Sequence, residues 1–167
     1  WTGNVRWALN LVSTSGETRD DHILVSRNVN GQYDNWAEIN DNSDTALVAA
    51  LRRAERMATF RRAVPFYNLA EEHYDPEPFT APRLFFESTY QLDAEKRAEA
   101  ARKLAKSAAD AGLLSAGYIE VSAHSQALVT SYGYTRYLEY TWARYSVTVR
   151  DPKGVASGWA GVDWSDW

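Results

Sequence analysis

The chain has no cysteine and a single methionine among its 167 residues. Without cysteine it can form neither a disulfide framework nor a thiolate nucleophile, and this usage fits a reducing compartment, so we expect a cytoplasmic protein. No apolar run approaches the roughly 18 residues of a membrane-spanning helix, and we expect no membrane partner. The net charge of −4 lacks the basic excess of proteins that bind nucleic acid, so we expect no nucleic-acid partner either.

Motifs that would place a catalytic centre in the chain are also missing. The three histidines, His22, His73 and His124, are far apart, and none has a second histidine three to five residues away. No Gly-x-Ser-x-Gly segment marks a nucleophilic serine. The acidic run 71–75 lies in a proline-rich stretch without apolar neighbours, which favours a solvated loop over an acid/base cluster. We therefore predict no catalytic residue, no metal ligand and no cofactor in this chain.

What the sequence does contain predicts an α+β fold, with an antiparallel or mixed β-sheet and two main helices packed on it. Alternation of apolar and polar residues predicts strands over 4–12, 23–29 and 33–39. Asn30–Gly31 is a strong hairpin signal between the last two, because both central positions of such a turn need positive φ. The polar segment 13–20 is interpreted as a loop.

Two helices are predicted from their caps and their apolar stripes. Asn40–Asp44 offers several cap residues for the first helix, whose stripe runs from Leu47 to Ala58. Its arginines fall largely on the opposite side, which favours a solvated face. Asp93 caps the second helix, which ends at Gly112 and has a stripe made mostly of alanine, so it can lie close to a sheet.

The organisation expected from these elements is one domain with a tail. Residues 1–151 form a single α+β domain, and 152–167 form an exit segment toward a missing C-terminal domain. Within the domain, 1–60 holds strands and the first helix, 61–92 is a proline-rich connector, and 93–151 holds the second helix and a long hairpin.

The long hairpin is rich in aromatic residues. Its two strand-like runs are 117–131 and the segment that continues to Arg150. The apolar residues of the second run change phase, which predicts either a bulge near Trp142 or a strand buried on both faces at its centre. We expect Trp142 and Tyr145 in the core.

Three tyrosines near the hairpin turn have two open interpretations. They either pair across the strands or line a groove that receives an extended peptide, where strand edges and aromatic rings would both contribute to binding. As candidate substrate-binding residues we name Tyr132, Tyr134 and Tyr137.

The sequence of this region resembles one family. The segment from Gly117 to Gly161, GYIEVSAHSQALVTSYGYTRYLEYTWARYSVTVRDPKGVASGWAG, is similar to the end of the N-terminal domain of TldD/PmbA-type metalloproteases, the modulator of DNA gyrase family. It contains the S-x-G turn at 131–133, and the pattern SVTVR-x-P-x-G-x-x-SGWAG follows at 146–161. Upstream, RWALNLVSTSGETRDDHILVS at 6–26, followed by an asparagine-led helix of L-x-x-A-x-R-x-A character, agrees with the middle of that domain.

The resemblance implies a non-catalytic N-terminal domain of a zinc metalloprotease that acts on peptides. Such a domain contributes to dimerisation, as a homo-oligomer or with a paired family member, and to the substrate chamber. Zinc is expected in the missing C-terminal domain, on a His-Glu-x-x-x-His helix and a distant cysteine, and this chain contains neither. We therefore expect the chain to be inactive alone, and, because it opens on Trp1, to be a piece of a longer polypeptide. At the domain junction we place Gly158, Trp159 and Gly161.

The alternative belongs to another functional class. A stand-alone structural or interaction module could use exposed strands and aromatic side chains to associate with itself or to bind peptide or glycan. A downstream His-Glu-x-x-x-His in the reading frame distinguishes the protease domain from this module.

Overall fold

The computed structural model describes residues 1–29, 33–60, 80–131 and 133–167. The described elements, in chain order, are β1 (Thr2–Ala8), β2 (Leu11–Thr18), β3 (Ile23–Val29), β4 (Tyr33–Ile39), α1 (Asp44–Ala58), α2 (Glu87–Tyr90), α3 (Ala94–Asp110), β5 (Leu114–Val129), β6 (Thr135–Arg150) and β7 (Ser157–Trp164).

The strands form two sheets, and the predicted α+β class is confirmed. The larger sheet has five strands in the order β2-β1-β5-β6-β7, and every neighbouring pair is antiparallel. The smaller sheet is the antiparallel pair β3-β4. The chain divides into two compact units: the larger comprises Trp1–Arg19, Pro78–Val129 and Thr135–Trp167, and the smaller comprises Asp20–Glu77 and Thr130–Tyr134.

The core of the larger unit lies between one face of the five-stranded sheet and α3. Val5, Trp7 and Ile119 are buried from the strands, and Ala101 and Ala105 from the helix. The predicted alanine stripe is thus confirmed, since small side chains let the helix backbone approach the sheet closely. The predicted ends of α3 are confirmed as well: its N-cap carboxylate accepts a hydrogen bond from the backbone N–H of Lys96, and the chain leaves the helix through a glycine with φ of 71°.

A buried arginine also joins α3 to the sheet, which the sequence pattern did not predict. The side chain of Arg97 is fully buried and donates to the carbonyl of Leu92 and to Glu17 on β2, each at 2.6 Å. Its guanidinium occupies the space above Gly3, where a Cβ would lie 2.5 Å from Nη1. The two hydrogen bonds, one of them to a carboxylate, compensate part of the lost hydration of this buried charge, and the Arg97 Nε has no hydrogen-bond partner among the described residues.

The smaller unit packs α1 against β3 and β4. Ala37 of β4 and two helix alanines, Ala50 and Ala54, form its buried cluster. The predicted cap is confirmed, since the Ser43 hydroxyl accepts a hydrogen bond from the backbone N–H of Ala46. The apolar stripe is narrower than predicted, because the side chains of Leu51 and Met57, at its flanks, are 36% and 48% exposed.

The interpretation of residues 4–20 as one strand and a loop is wrong. The chain turns at Leu9 and Asn10, which have φ of 50° and 64°, and returns as β2. The side chain of Asn10 holds this turn, because it donates to the carbonyl of Leu113 and accepts from the backbone N–H and the hydroxyl of Ser115. As β2 is an edge strand exposed along its whole length, it needs no apolar alternation.

The phase change in β6 is not caused by a bulge, since β5 and β6 stay in register from Leu114↔Arg150 to Val129↔Thr135. At the centre Thr141 and Ala143 are buried on one face, and Trp142 is half-buried on the other, so both faces are covered there but only one is fully buried. The expectation that Trp142 lies in the core is wrong, because its side of the strand borders a surface groove. Tyr145 stacks on Trp7 in the core, with ring centroids 6.4 Å apart.

Several predicted features lie outside the described residues: the turn at Asn30–Gly31, the acidic run 71–75, His73 and most of the connector. The exit segment 152–167 contains β7, which forms an edge of the larger sheet, and the domain expected after it stays a prediction. Among the described residues, no helix combines the length and apolar composition that crossing a membrane requires.

Candidate functional site

A surface groove of about 350 Å³ lies beside the end of β7 in the larger unit. On one side it is bounded by the segment that leads into α2, and on the other by the last residues of β7, with β6 between them. Its lining includes Arg83, Leu84, Phe86, Trp142, Asp163 and Trp164.

The groove forms where one neighbour of β6 gives way to another. Strand β7 pairs with β6 as far as the Ala143↔Trp164 pair. Further along β6, Leu84 forms a parallel bridge with Tyr140, and its carbonyl accepts from the backbone N–H of Thr141 at 3.0 Å. Trp142 therefore lies where the neighbour of β6 changes from β7 to the segment at Leu84, between the two chain segments that form the walls of the groove.

Two buried threonines fix the walls of the groove. The hydroxyls of Thr89 and Thr141 both donate to the carbonyl of Ser165, at 2.9 and 2.8 Å. The backbone N–H of Trp167 donates to Thr89 Oγ1 at 2.8 Å, and that of Phe86 donates to Thr141 Oγ1 at 3.0 Å. Since both threonine side chains are buried, these bonds are shielded from water and tie the chain after β7 to α2.

An ion pair forms the polar part of the groove. Arg144 donates from Nε and Nη2 to the two carboxylate oxygens of Asp163, at 2.7 and 3.0 Å. This forked contact lowers the pKa of the Asp163 carboxyl below its ordinary value and raises that of Arg144. The same guanidinium lies 4.6 Å from the ring centroid of Trp142 and so holds that ring in place.

The remaining charge in the groove is Arg83. Its side chain is exposed, and it makes no ion pair with the part of the chain that the structure describes. Within the described residues the lining therefore combines a positive charge that makes no ion pair with aromatic and aliphatic surface. Such a combination can accept an anionic group and an apolar one side by side.

Strand β7, beside this groove, is exposed along its whole length, and among the strands that the structure describes it pairs with β6 alone. Trp159 is 71% exposed and Trp164 is 67% exposed. The ring of Trp159 lies over Gly161, where a Cβ would approach it to 2.6 Å. Of the predicted junction residues, Gly158 has open space around it, and all three lie on β7. Their role at a domain junction stays a prediction.

Of the three candidate tyrosines, the two that the structure describes do not line this groove. Tyr132 lies outside the described residues. Tyr134 is half-buried in the turn of the smaller unit, where its backbone N–H donates to Thr130 Oγ1 at 3.3 Å. Tyr137 belongs to the larger unit and is 52% exposed, and its hydroxyl donates to Glu139 at 2.6 Å, which raises the pKa of the phenol. Their role in binding substrate stays a prediction.

The two described histidines have ordinary neighbours. His22 lies 3.2 Å from Glu38 in the smaller unit. His124 stacks on Tyr140 with ring centroids 4.8 Å apart, and partial burial lowers the pKa of its imidazole. Within the described ranges no group of three or more histidine, cysteine, aspartate or glutamate side chains could hold a metal ion.

The groove residues Arg83, Leu84 and Phe86 were missed because they belong to the segment interpreted as a surface connector. One signal could have found them. After Pro82 and Arg83 the sequence has Leu84-Phe85-Phe86, an apolar run that a purely solvated connector does not need.

No protein-family model and no curated protein matches this sequence. Solved structures do match its fold. TldE of Thermococcus kodakarensis superposes with a TM-score of 0.72 at 15% identity, covering 99% of this chain and 38% of its own length. A proposed modulator of a DNA gyrase from Thermotoga maritima gives 0.76 at 8% identity, covering 97% and 36%. Another, from Bacteroides thetaiotaomicron, gives 0.71 at 12% identity, covering 98% and 37%.

The resemblance drawn from the sequence is therefore confirmed at the level of the fold. Nearly all of this chain matches these structures, but it spans under two fifths of their length. Its fold is that of one part of those larger proteins.

Proposed function

We propose that this chain is the non-catalytic N-terminal domain of a TldD/PmbA-like zinc metalloprotease that acts on peptides in the cytoplasm. The observation that carries the proposal is the extent of the fold match, which includes at least 97% of this chain and at most 38% of each neighbour. The motif SVTVR-x-P-x-G-x-x-SGWAG at 146–161 supports the same assignment from the sequence.

In this proposal the chain contributes dimerisation and one wall of the substrate chamber. The exposed edge strand β7 and the aromatic groove beside it are surfaces suited to contacts with other polypeptide segments, because edge strands offer unpaired backbone groups and tryptophans offer large rigid contact area.

Among the described residues no group of three or more histidine, cysteine, aspartate or glutamate side chains could hold a metal ion. The proposal assigns the zinc and the chemistry to a following domain because the resemblance implies it, and it gives this chain the role of a scaffold.

The reading frame beyond Trp167 and the metal content of two polypeptides test the proposal. We expect the frame to encode a His-Glu-x-x-x-His segment. A polypeptide extended through that segment should bind zinc stoichiometrically and cleave peptides in a manner that chelators abolish, and the 167-residue chain should do neither. Zinc binding with peptide turnover by the shorter chain, or a frame that ends without the motif, would contradict the proposal.

A matched pair of edge substitutions tests the dimerisation part. If dimers form through β7, Trp159→Lys should raise the dimer dissociation constant roughly tenfold or more in sedimentation equilibrium, because it removes an exposed ring from the interface. Leu11→Lys, on the opposite edge strand, should leave it unchanged. Equal effects of the two substitutions, or a monomer at all concentrations, would remove dimerisation from the proposal.

A second candidate function is a self-associating or ligand-binding module without a catalytic partner. The exposure of both edge strands of the larger sheet favours it. The reading frame separates it from the first, since the module requires no downstream zinc motif.

A further inference from the structure

Apolar rows of the five-stranded sheet continue past the helix that covers them. One row consists of four residues that the register pairs in succession across β1, β5, β6 and β7: Val5, Ile119, Tyr145 and Val162. Helix α3 packs over β1, β2 and β5. Exposure therefore rises along the row, from 0% at Val5 and Ile119 to 54% at Val162. The core of the larger unit thus continues as apolar surface beyond the helix.

Five side chains form this surface, which we call the β7 strip: Val147 and Val149 on β6, and Ala160, Val162 and Trp164 on β7. They share the α3 face of the sheet, because side chains two residues apart on a strand point the same way and paired residues lie on one face. The two β6 valines are half-buried, and Trp164 is 67% exposed.

The opposite face of the same two strands is mostly polar. There β7 carries Ser157 and Asp163, with Trp159 as the apolar exception, and β6 carries Arg144 and Arg150. Such alternation is typical of strands that bury one face and leave the other in water. The β7 strip therefore has the pattern of a surface that packs against another layer of polypeptide.

The chain leaves β7 on the side of the strip. The carbonyl of Ser165 accepts hydrogen bonds from the hydroxyls of Thr141 and Thr89. Thr141 lies on the α3 face, because it is two residues from the buried Ala143 on the same strand. The backbone N–H of Trp167 then donates to Thr89 Oγ1 at 2.8 Å. Polypeptide that continues from Trp167 would begin beside the strip.

We propose that the β7 strip is the docking surface for an apolar face of the domain that follows in the same polypeptide. This deepens the proposed function, on which it rests for the existence of that domain. A domain tethered within a few residues of Trp164 has an effective concentration on the order of 1 mM, so it occupies the strip ahead of a second copy of the chain at micromolar concentration.

Cysteine labelling tests the proposal, because the chain has no cysteine of its own. Val162→Cys places a thiol in the strip, and Ser157→Cys places one at an exposed position on the opposite face of the same strand. Each variant is made in the 167-residue chain and in a polypeptide extended through the following domain, and the maleimide-labelled peptide is identified by mass spectrometry. We expect the extension to slow the reaction of Val162→Cys roughly tenfold or more and to leave that of Ser157→Cys unchanged.

Lysine substitutions give a second measurement that needs no labelling. Val162→Lys should lower the midpoint of thermal unfolding of the extended polypeptide, because it puts a charge into an apolar contact. It should leave the midpoint of the 167-residue chain nearly unchanged, because the side chain is exposed there. Ser157→Lys should leave both midpoints unchanged. Circular dichroism verifies the fold of each variant.

The proposal is overturned if Val162→Cys reacts equally fast in the two polypeptides, if the extension protects both positions equally, or if Val162→Lys affects both polypeptides alike. Protection of Val162→Cys that grows with the concentration of the 167-residue chain would assign the strip to a second copy and would overturn the proposal as well. None of these measurements depends on bound zinc or on peptide turnover, so failure of the docking surface is distinct from failure of the proposed function.

Discussion

The two edges of the five-stranded sheet are equally exposed but differ in what they expose. Strand β2 presents mainly serine, threonine and glutamate, and the hydroxyls of Ser13 and Ser15 donate back to carbonyls of β1. Strand β7 presents tryptophan, valine and alanine around two glycines. A polar edge whose side chains bond to its own sheet discourages pairing with other chains, whereas an aromatic edge does not.

The edges are also anchored differently. The β2 edge is held from inside the core, through the buried guanidinium of Arg97 and through Trp7 of the adjacent strand. The β7 edge is held at its end, by the threonine hydrogen bonds to Ser165, and at its surface, by the Arg144–Asp163 pair. We therefore expect the contacts beneath the β2 edge to contribute more to stability than the contacts that hold the β7 edge. The following predictions test that difference.

The largest effect is expected from Gly117→Val. Gly117 lies on β5 and pairs with Trp7 of β1, the strand next to the β2 edge. A Cβ at this position would lie 2.1 Å from the Trp7 ring and 2.6 Å from the Ser146 carbonyl oxygen, so the ring has no room to stay. We expect a loss of about 3 kcal/mol or more in the free energy of unfolding, measured by urea denaturation.

Gly16→Val on β2 is the control, because nothing lies within 4 Å of a Cβ there. It should change the unfolding free energy by no more than about 0.5 kcal/mol. A similar loss of unfolding free energy in both variants would mean that β2 around Gly16 is packed as tightly as β5 around Gly117.

Arg97→Ala should have the next largest effect. It removes the hydrogen bonds to Leu92 and Glu17 and empties the space above Gly3. Because Glu17 is 46% exposed and can regain water, we expect a loss of about 2–3 kcal/mol instead of the larger cost of stranding a buried charge. Arg102→Ala, an exposed arginine of the same helix, should be nearly neutral in the same denaturation experiment. Equal losses of unfolding free energy in the two variants would show that Arg97 does not stabilise the packing of α3 on the sheet.

Thr141→Val tests the anchor of the β7 edge. The substitution keeps the shape of a buried side chain but removes the bond to the Ser165 carbonyl and the acceptor for Phe86 N–H. We expect a loss of about 1–2 kcal/mol, together with altered tryptophan fluorescence as Trp164 becomes more mobile. Thr148→Val, at an exposed position on the same strand, should change neither. An unchanged fluorescence spectrum in Thr141→Val would show that the Thr141 hydrogen bond does not restrain Trp164.

The sequence predicted those elements whose local signals agree with their tertiary environment. Both helices follow from a cap residue and a periodic stripe, and β3 and β4 follow from alternation. Strand β2 was missed because an exposed edge strand has no apolar face to alternate, and because Leu9 at φ of 50° carries no turn signal. Arg97 was missed since nothing local indicates that Gly3 and Glu17 provide space and charge for it.

The groove was less predictable than the fold, because its walls come from distant parts of the chain. Arg83 and Phe86 precede α2, Trp142 lies in β6, and Asp163 and Trp164 lie in β7. Only the pairing of β6 with two successive neighbours brings them together, and no periodicity within one segment encodes it. The aromatic excess led to a separate expectation, a peptide groove at the hairpin tyrosines, and that expectation stays a prediction.

The smallest expected effect concerns the Arg144–Asp163 pair on the exposed surface of the β7 edge. Arg144 lowers the pKa of Asp163 in the folded state, so this pair contributes stability above the pKa of the unfolded chain and loses it as the pH falls through the folded-state pKa. Asp163→Asn and Arg144→Gln should therefore each reduce the acid-side slope of the unfolding free energy against pH, by a similar small amount. High salt should reduce the slope of the unsubstituted protein in the same direction, because the pair is accessible to counterions. If the slope persists in both variants, the pair does not hold this edge, and the threonine bonds at its end are its remaining anchor.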